Sequence, residues 1–117
     1  MRVITGTARG IQLKTPTGFL TRPTAERVKE ALFSAIQFDI PGARVLDLFA
    51  GTGQLGIEAL SRGAARAVFV DMRLDACRLV RENLRRTGLS DRAAVVQGDY
   101  LRYLEHSKDT FHIIFLD

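Results

Sequence analysis

The sequence predicts an α/β fold, a parallel sheet of about four strands preceded by a β-hairpin and a helix. Two observations lead to it. Short apolar runs recur at 45–50, 67–70, 93–96 and 111–116, each continuous rather than alternating, as parallel strands buried on both faces require. Between them, apolar residues recur at helical spacing, so strand and helix alternate. A length of 117 residues with 46% apolar content suits a single core, and no repeat, low-complexity tract or linker divides the chain.

The elements follow in order. Arg2–Thr5 and Ile11–Lys14 favour β structure and are separated by Gly6-Thr7-Ala8-Arg9-Gly10, the turn of a hairpin with Arg9 between glycines. Pro16, Gly18 and Pro23 mark a loop. Thr24 is then expected to cap a helix whose apolar face is Val28, Ala31, Leu32, Ala35 and Ile36, with Glu26, Lys29 and Glu30 facing away. Pro41-Gly42 closes this N-terminal arm, residues 1–43, and residues 44–117 carry the sheet. Its first strand, Val45 to Ala50, leads into a helix from Gly53 to Arg62 stopped at Gly63. After the strand Ala67–Val70, Leu74, Cys77, Val80 and Leu84 line one face of a helix ending at Gly88. The strand Ala93–Val96, a short helix over Tyr100–Glu105 and the strand Phe111–Leu116 complete the series, and Asp117 is the last residue.

Lys and Arg number 17 against 13 Asp and Glu, a net charge of +4. Residues 1–44 hold seven bases and three acids and the remainder ten of each, so the whole excess lies in this N-terminal segment, the arm and Arg44 after it. No acid precedes Glu26, and Arg2, Arg9, Lys14 and Arg22 are therefore expected to contact a polyanion, RNA in the first instance. Arg78, Arg81 and Arg85 form a second stripe, but Asp75 and Glu82 lie within one helical turn and are expected to pair with it locally. No apolar stretch reaches the roughly 18 residues of a membrane span and no signal peptide opens the chain, so a cytoplasmic location is expected. The single Cys77 excludes an internal disulfide, and with His106 and His112 it makes no metal-ligand cluster of the usual spacing. Cys77 reads as core packing, His112 as a structural histidine and His106 as surface.

The sharpest motif is Gly51-Thr52-Gly53-Gln54-Leu55-Gly56, a G-x-G-x-x-G between a strand and a helix, with Asp71 at the end of the next strand where it could grip ribose hydroxyls. A nicotinamide or flavin dinucleotide site has the same outline. Asp47 bears on the choice: an acid inside an apolar strand must be satisfied by a ligand's cation or by neighbouring backbone donors. Phosphates gain nothing from a carboxylate, whereas a ligand carrying an ammonium and a sulfonium does. With Asp99 after the third run, acids stand at three consecutive strand ends, which argues for a cationic nucleoside; the plainer alternative makes Asp71 and Asp99 loop or cap residues.

Asp47-Leu48-Phe49-Ala50-Gly51-Thr52-Gly53 resembles the first motif of class I S-adenosylmethionine-dependent methyltransferases, which have a Rossmann-like sheet. Arg2-Val3-Ile4-Thr5-Gly6, Thr21-Arg22-Pro23-Thr24, Arg27-Val28-Lys29-Glu30-Ala31-Leu32-Phe33 and Gly56-Ile57-Glu58-Ala59-Leu60-Ser61-Arg62-Gly63 resemble the bacterial small-subunit ribosomal RNA guanine-N2 methyltransferases. The resemblance implies S-adenosylmethionine as methyl donor, S-adenosylhomocysteine as product and no metal. By it, Gly51 and Gly53 pass under the methionine part of the donor, Asp47 lies near its ammonium, Asp71 holds the ribose, and Asp99 bonds the adenine amine beside Tyr100. Phe49, Ala50, Met72 and Thr24 complete the surroundings. Asp117 corresponds to the first residue of the catalytic Asp-Pro-Pro-Tyr motif, whose Pro, Pro and aromatic residues are not in this sequence, nor are the units that complete a seven-stranded sheet. The chain is accordingly expected to be part of a longer protein. The implied partner is small-subunit ribosomal RNA or its assembly particle, bound by a monomer away from any membrane. An adenine-specific DNA or RNA methyltransferase, a NAD-type oxidoreductase and a non-catalytic RNA-binding fragment stay open as rivals.

Overall fold

A computed structural model describes residues 1–16 and 23–116, Pro23 and Thr24 by their backbone only. Four strands, β1 (Arg44–Leu48), β2 (Arg66–Asp71), β3 (Ala93–Gln97) and β4 (Ile113–Leu116), form one sheet in the order β3-β2-β1-β4. Every pairing is parallel, with Leu46 opposite Val68 on one side and Ile114 on the other. The helices are α1 (Pro23–Ile36), α2 (Gln54–Ser61), α3 (Leu74–Thr87) and α4 (Tyr100–His106). This is the predicted alternation. The chain steps outward from β1 to β3 and then returns to the other side of β1, so the sheet's switch point lies between β1 and β4.

Both sheet faces are apolar because alternate side chains of each strand point opposite ways. Val45, Ala67, Phe69 and Phe115 face α1, α2 and α3 in the larger core cluster. Leu46, Leu48, Val68 and Val70 face the other way, where Tyr100, Tyr103 and Phe111 pack on them. At the β4 edge this second face continues uncovered: Ile114 is 50% and Leu116 72% exposed. Among the described residues no helix is long and apolar enough to cross a membrane.

The predicted hairpin turns where expected but, among the described residues, pairs through a single antiparallel bridge, Arg2 with Gln12, without regular strands, Val3 N donating to Ile11 O at 2.9 Å. It is part of the main core, into which Val3, Ala8 and Leu13 are buried. Its docking is polar as well as apolar. Glu58 of α2, fully buried, accepts from the amides of Ile4 (2.8 Å) and Thr5 (3.0 Å), from Lys29 Nζ (3.1 Å) and from Arg62 Nε (2.9 Å). Ser61 Oγ accepts from Ala8 N at 2.9 Å and donates to Thr5 O at 2.7 Å.

Two expectations for α1 are corrected. The helix begins at Pro23, so Thr24 lies inside its first turn instead of capping it. Proline suits that position because its missing amide hydrogen has no helical partner there. The buried face is also different: Phe33 and Lys29 are buried, while Val28 and Leu32 are 65% and 38% exposed. Lys29 can go inside because Glu58 receives its ammonium, and Phe33 packs against Phe115 with ring centroids 5.7 Å apart. Leu74, expected on the apolar face of α3, is 44% exposed, and the face consists of Cys77, Val80 and Leu84 with Asn83 and Thr87.

Candidate cofactor site at the strand ends

The carboxyl ends of β1, β2 and β3 are tied to one another. Gly51 and Gly53 have φ of 59° and 80°, the left-handed region that a side chain disfavours, and they turn the chain from β1 into α2. Asp71 holds this loop: its Oδ2 accepts from Gly51 N at 3.1 Å and its Oδ1 from Arg73 N at 2.9 Å, while its carbonyl accepts from Gly98 N at 2.9 Å. Each oxygen of a carboxylate can accept a second hydrogen bond, so Asp71 can serve the loop and a hydroxyl of a ligand together.

Asp47 is 1% exposed, and its Oδ2 accepts from Gly56 N at 3.0 Å, in the first turn of α2. Of the two ways to satisfy an acid in this strand, a backbone donor is thus in place. Gly56 explains the spacing of the motif's third glycine. A Cβ there would lie 2.3 Å from the Phe69 ring and 3.2 Å from Asp47 Oδ2, so helix and sheet meet only across a hydrogen atom.

Asp99 caps α4, its Oδ1 accepting from Leu101 N at 3.4 Å. The plainer reading of Asp71 and Asp99 therefore describes their local bonds, and those bonds leave acceptor capacity on both. Phe49, 46% exposed, has φ of 57°, a conformation that costs a non-glycine residue about 1–3 kcal/mol and clusters at functional sites. Its ring meets Tyr100 with centroids 4.8 Å apart. Met72, 66% exposed, stands beside Asp71, and Ala50 is buried at the base of the loop. The structure thus brings together Phe49, Gly51, Gly53, Asp71, Met72, Asp99 and Tyr100 at the carboxyl ends of β1, β2 and β3. A cleft of about 640 Å³ opens beside them, lined by Gly51, Thr52, Asp71, Arg73 and Lys14. Above Gly51 the backbone is open, a Cβ built there meeting only Phe49 O at 3.9 Å.

The strand ends thus offer a bare backbone loop, an exposed Phe49 ring against a half-buried Tyr100, an exposed thioether, and carboxylates with remaining acceptor capacity. Asp117, Arg22 and the Thr24 side chain lie outside the described residues.

The basic residues are less isolated than their spacing suggested. Arg2 pairs with Glu26 at 3.2 Å and Lys14 with Glu82 at 3.3 Å, so acids from α1 and α3 reach a hairpin that contains none. Arg9 is exposed and makes no ion pair among the described residues. Local pairing on α3 is corrected: Asp75 is taken by Arg73 at 2.8 Å and Glu82 by Lys14, which leaves Arg78 and Arg85 exposed. Cys77 is buried, and its burial, followed by the Asp71 charge, pushes the thiol's pKa up. His112 Nδ1 accepts from Arg44 N at 2.9 Å, a structural role.

Sequence reasoning missed Lys29, Glu58 and Asn83. Asn83 is buried among the apolar residues of α3, and a polar residue on an otherwise apolar stripe is the signal that marks it.

Sheet order, glycine loop and strand-end acids together define a class I methyltransferase fold. The chain belongs to the family described as Conserved hypothetical protein 95, which matches residues 1–117. It is 46% identical over its whole length to YlbH of Bacillus subtilis (strain 168) and 38% identical to the ribosomal RNA small subunit methyltransferase D of Escherichia coli (strain K12). It spans 65% and 59% of the lengths of these relatives. The solved structure of yhhF from Escherichia coli superposes with a TM-score of 0.87 at 38% identity, covering 99% of this chain and 62% of that one.

Proposed function

We propose that the protein transfers a methyl group from S-adenosylmethionine to the exocyclic amine of a guanine in small-subunit ribosomal RNA. The observation that carries this reading is the bond from Gly51 N to Asp71, which ties the glycine loop to the acid at the end of β2 beside a cleft that both line. The relative named for methylation of small-subunit ribosomal RNA supports the substrate class.

Gly51 and Gly53 would pass beneath the donor's methionine part, Asp71 would accept from its ribose hydroxyls, and Asp99 from its adenine amine, between Met72 and the Phe49–Tyr100 pair. When bound, the donor supplies an electrophilic methyl on a sulfonium. Asp117 would accept a hydrogen bond from the guanine amine, holding its nitrogen in place and favouring the positive charge that develops there. No strong general base is needed, since the nitrogen can lose its proton once transfer has begun. Base-modifying enzymes take their target out of the stack, so the guanine is unpaired or flipped. Arg9 at the hairpin tip, with Arg2, Lys14 and Arg22, would contact phosphates; exposed ion pairs contribute only about 0–1 kcal/mol, so Arg2 and Lys14 can exchange their carboxylates for the backbone. We place the reaction in the cytoplasm, on ribosomal RNA or its assembly particle, with the protein acting as a monomer.

Calorimetry with S-adenosylhomocysteine and NAD side by side tests the donor. Binding of the former that weakens in Asp71→Ala is expected; binding of NAD alone would overturn the proposal in favour of an oxidoreductase.

A further inference from the structure

Asn83 is fully buried on α3, and its amide group joins three segments that the donor site does not otherwise connect. Its Oδ1 accepts from Lys14 N at 2.7 Å, and its Nδ2 donates to Lys14 O at 2.9 Å and to Thr52 O at 3.0 Å. The first two bonds pair the side-chain amide with one residue of the hairpin much as a neighbouring strand would. The third reaches the carbonyl of Thr52, the one residue between Gly51 and Gly53. Neighbouring residues of α3 reinforce both ends: Glu82 pairs with Lys14, Arg86 Nε donates to Gln12 O at 3.2 Å, and Val80 packs where a Gly53 Cβ would lie 3.2 Å from it.

A loop flanked by two left-handed glycines has little conformational preference of its own, so its tethers decide where its amides point. Asp71 fixes the Gly51 amide, and Asn83 fixes the Thr52 carbonyl. We propose that Asn83 is a positioning residue that registers the basic arm to the donor-binding loop, so that occupancy of the loop is felt at Lys14. This rests on the reading of the loop as a site for S-adenosylmethionine. It adds a mechanical link: RNA held by the arm and the donor held by the loop share one buried amide, and neither can shift without straining it.

S-adenosylhomocysteine is the probe. Its affinity is measured by calorimetry on the native chain and on Asn83→Ala, Asn83→Leu and Leu89→Ala, and exchange of the Lys14 amide is followed by NMR with and without it. Leu89 is buried in the core and serves as a control for simple loss of stability. Asn83→Leu keeps the volume if the alanine variant fails to fold. Both Asn83 variants should bind about tenfold more weakly, the worth of one well-made hydrogen bond, while folded Leu89→Ala binds as the native chain does. The ligand should slow Lys14 exchange in the native chain and leave it unchanged in the variants. Native affinity in Asn83→Leu, equal weakening in Leu89→Ala, or a Lys14 amide indifferent to ligand in the native chain would each overturn the link. A native chain that binds no S-adenosylhomocysteine would overturn the donor reading itself, and the link with it.

Discussion

Replacing Glu58 with alanine removes the acceptor of the amides of Ile4 and Thr5, of Lys29 Nζ and of Arg62 Nε at once. The amides matter least, because Ile4 is half-buried and Thr5 exposed, so water can replace the carboxylate there. Arg62 keeps its stack on the Phe33 ring, 4.9 Å from the centroid, and some solvent. Lys29 adapts least: it is 4% exposed, and among the described residues it keeps the carbonyl of Arg2, at 2.9 Å, with the Glu26 charge as a weaker attraction. An uncompensated buried charge of this kind costs about 3–5 kcal/mol, a large part of the 5–15 kcal/mol that holds a typical domain. With an m-value of about 2 kcal/mol/M, the urea midpoint should fall by roughly 2 M. Lys29→Met removes the other partner but leaves Glu58 with Arg62 and both amides, so its cost should stay within about 1 kcal/mol. Urea denaturation followed by circular dichroism measures both. A Glu58→Ala loss below about 1 kcal/mol, or a Lys29→Met loss just as large, would refute the assignment of Glu58 as the hub of the arm.

The same carboxylate predicts a pH dependence. Burial alone would raise the Glu58 pKa, but Lys29, the amides of Ile4 and Thr5, and Arg62 outweigh it and hold the carboxyl below its ordinary 4.5. A lowered folded pKa means stability that is complete above 4.5 and lost as pH falls through the folded value, so melting curves of the native chain should drop over that acid range more steeply than those of Glu58→Gln. Gly56→Ala should cost about 1–3 kcal/mol by overpacking Phe69, with Phe69→Leu restoring part of it in the double variant; a fully stable Gly56→Ala would contradict the close approach of helix and ring. Replacing Arg9 and Lys14 together should weaken ribosomal RNA binding and flatten its log–log salt dependence by about 0.7–0.9 for each phosphate that is no longer neutralised, as titrations at several salt concentrations will register. In a chain that continues past residue 117, Asp117→Ala should abolish methyl transfer while leaving S-adenosylhomocysteine affinity intact, and retained turnover would remove Asp117 from its proposed role.

The strands were legible because a strand buried on both faces leaves an unbroken apolar run, and Val45, Phe69 and Val95 sit where those runs place them. Acids at strand ends were legible from spacing alone, since Asp71 follows its run directly and Asp99 comes three residues after Val96. The orientation of α1 was not, because Lys29 is apolar in effect only once Glu58 is beside it, and that pairing belongs to the tertiary fold. The neutralisation of Arg2 and Lys14 was hidden for the same reason: charge patterning along the chain says nothing of Glu26 and Glu82 until α1 and α3 are in place. The left-handed backbone of Phe49 had no local signal, since nothing in its neighbours favours that conformation over continued strand.

The anchoring of the hairpin also dictates an order of events during synthesis. The arm leaves the ribosome before the groups that hold it, which are encoded far downstream: Glu58 lies 54 residues beyond Ile4 and Asn83 69 beyond Lys14. At about 5–20 residues per second, Lys14 exists for roughly 3–14 s before its partner is made. During that interval Val3, Ala8 and Leu13 have no core to enter, and the nascent chain carries a basic, partly apolar ribbon in the immediate presence of ribosomal RNA.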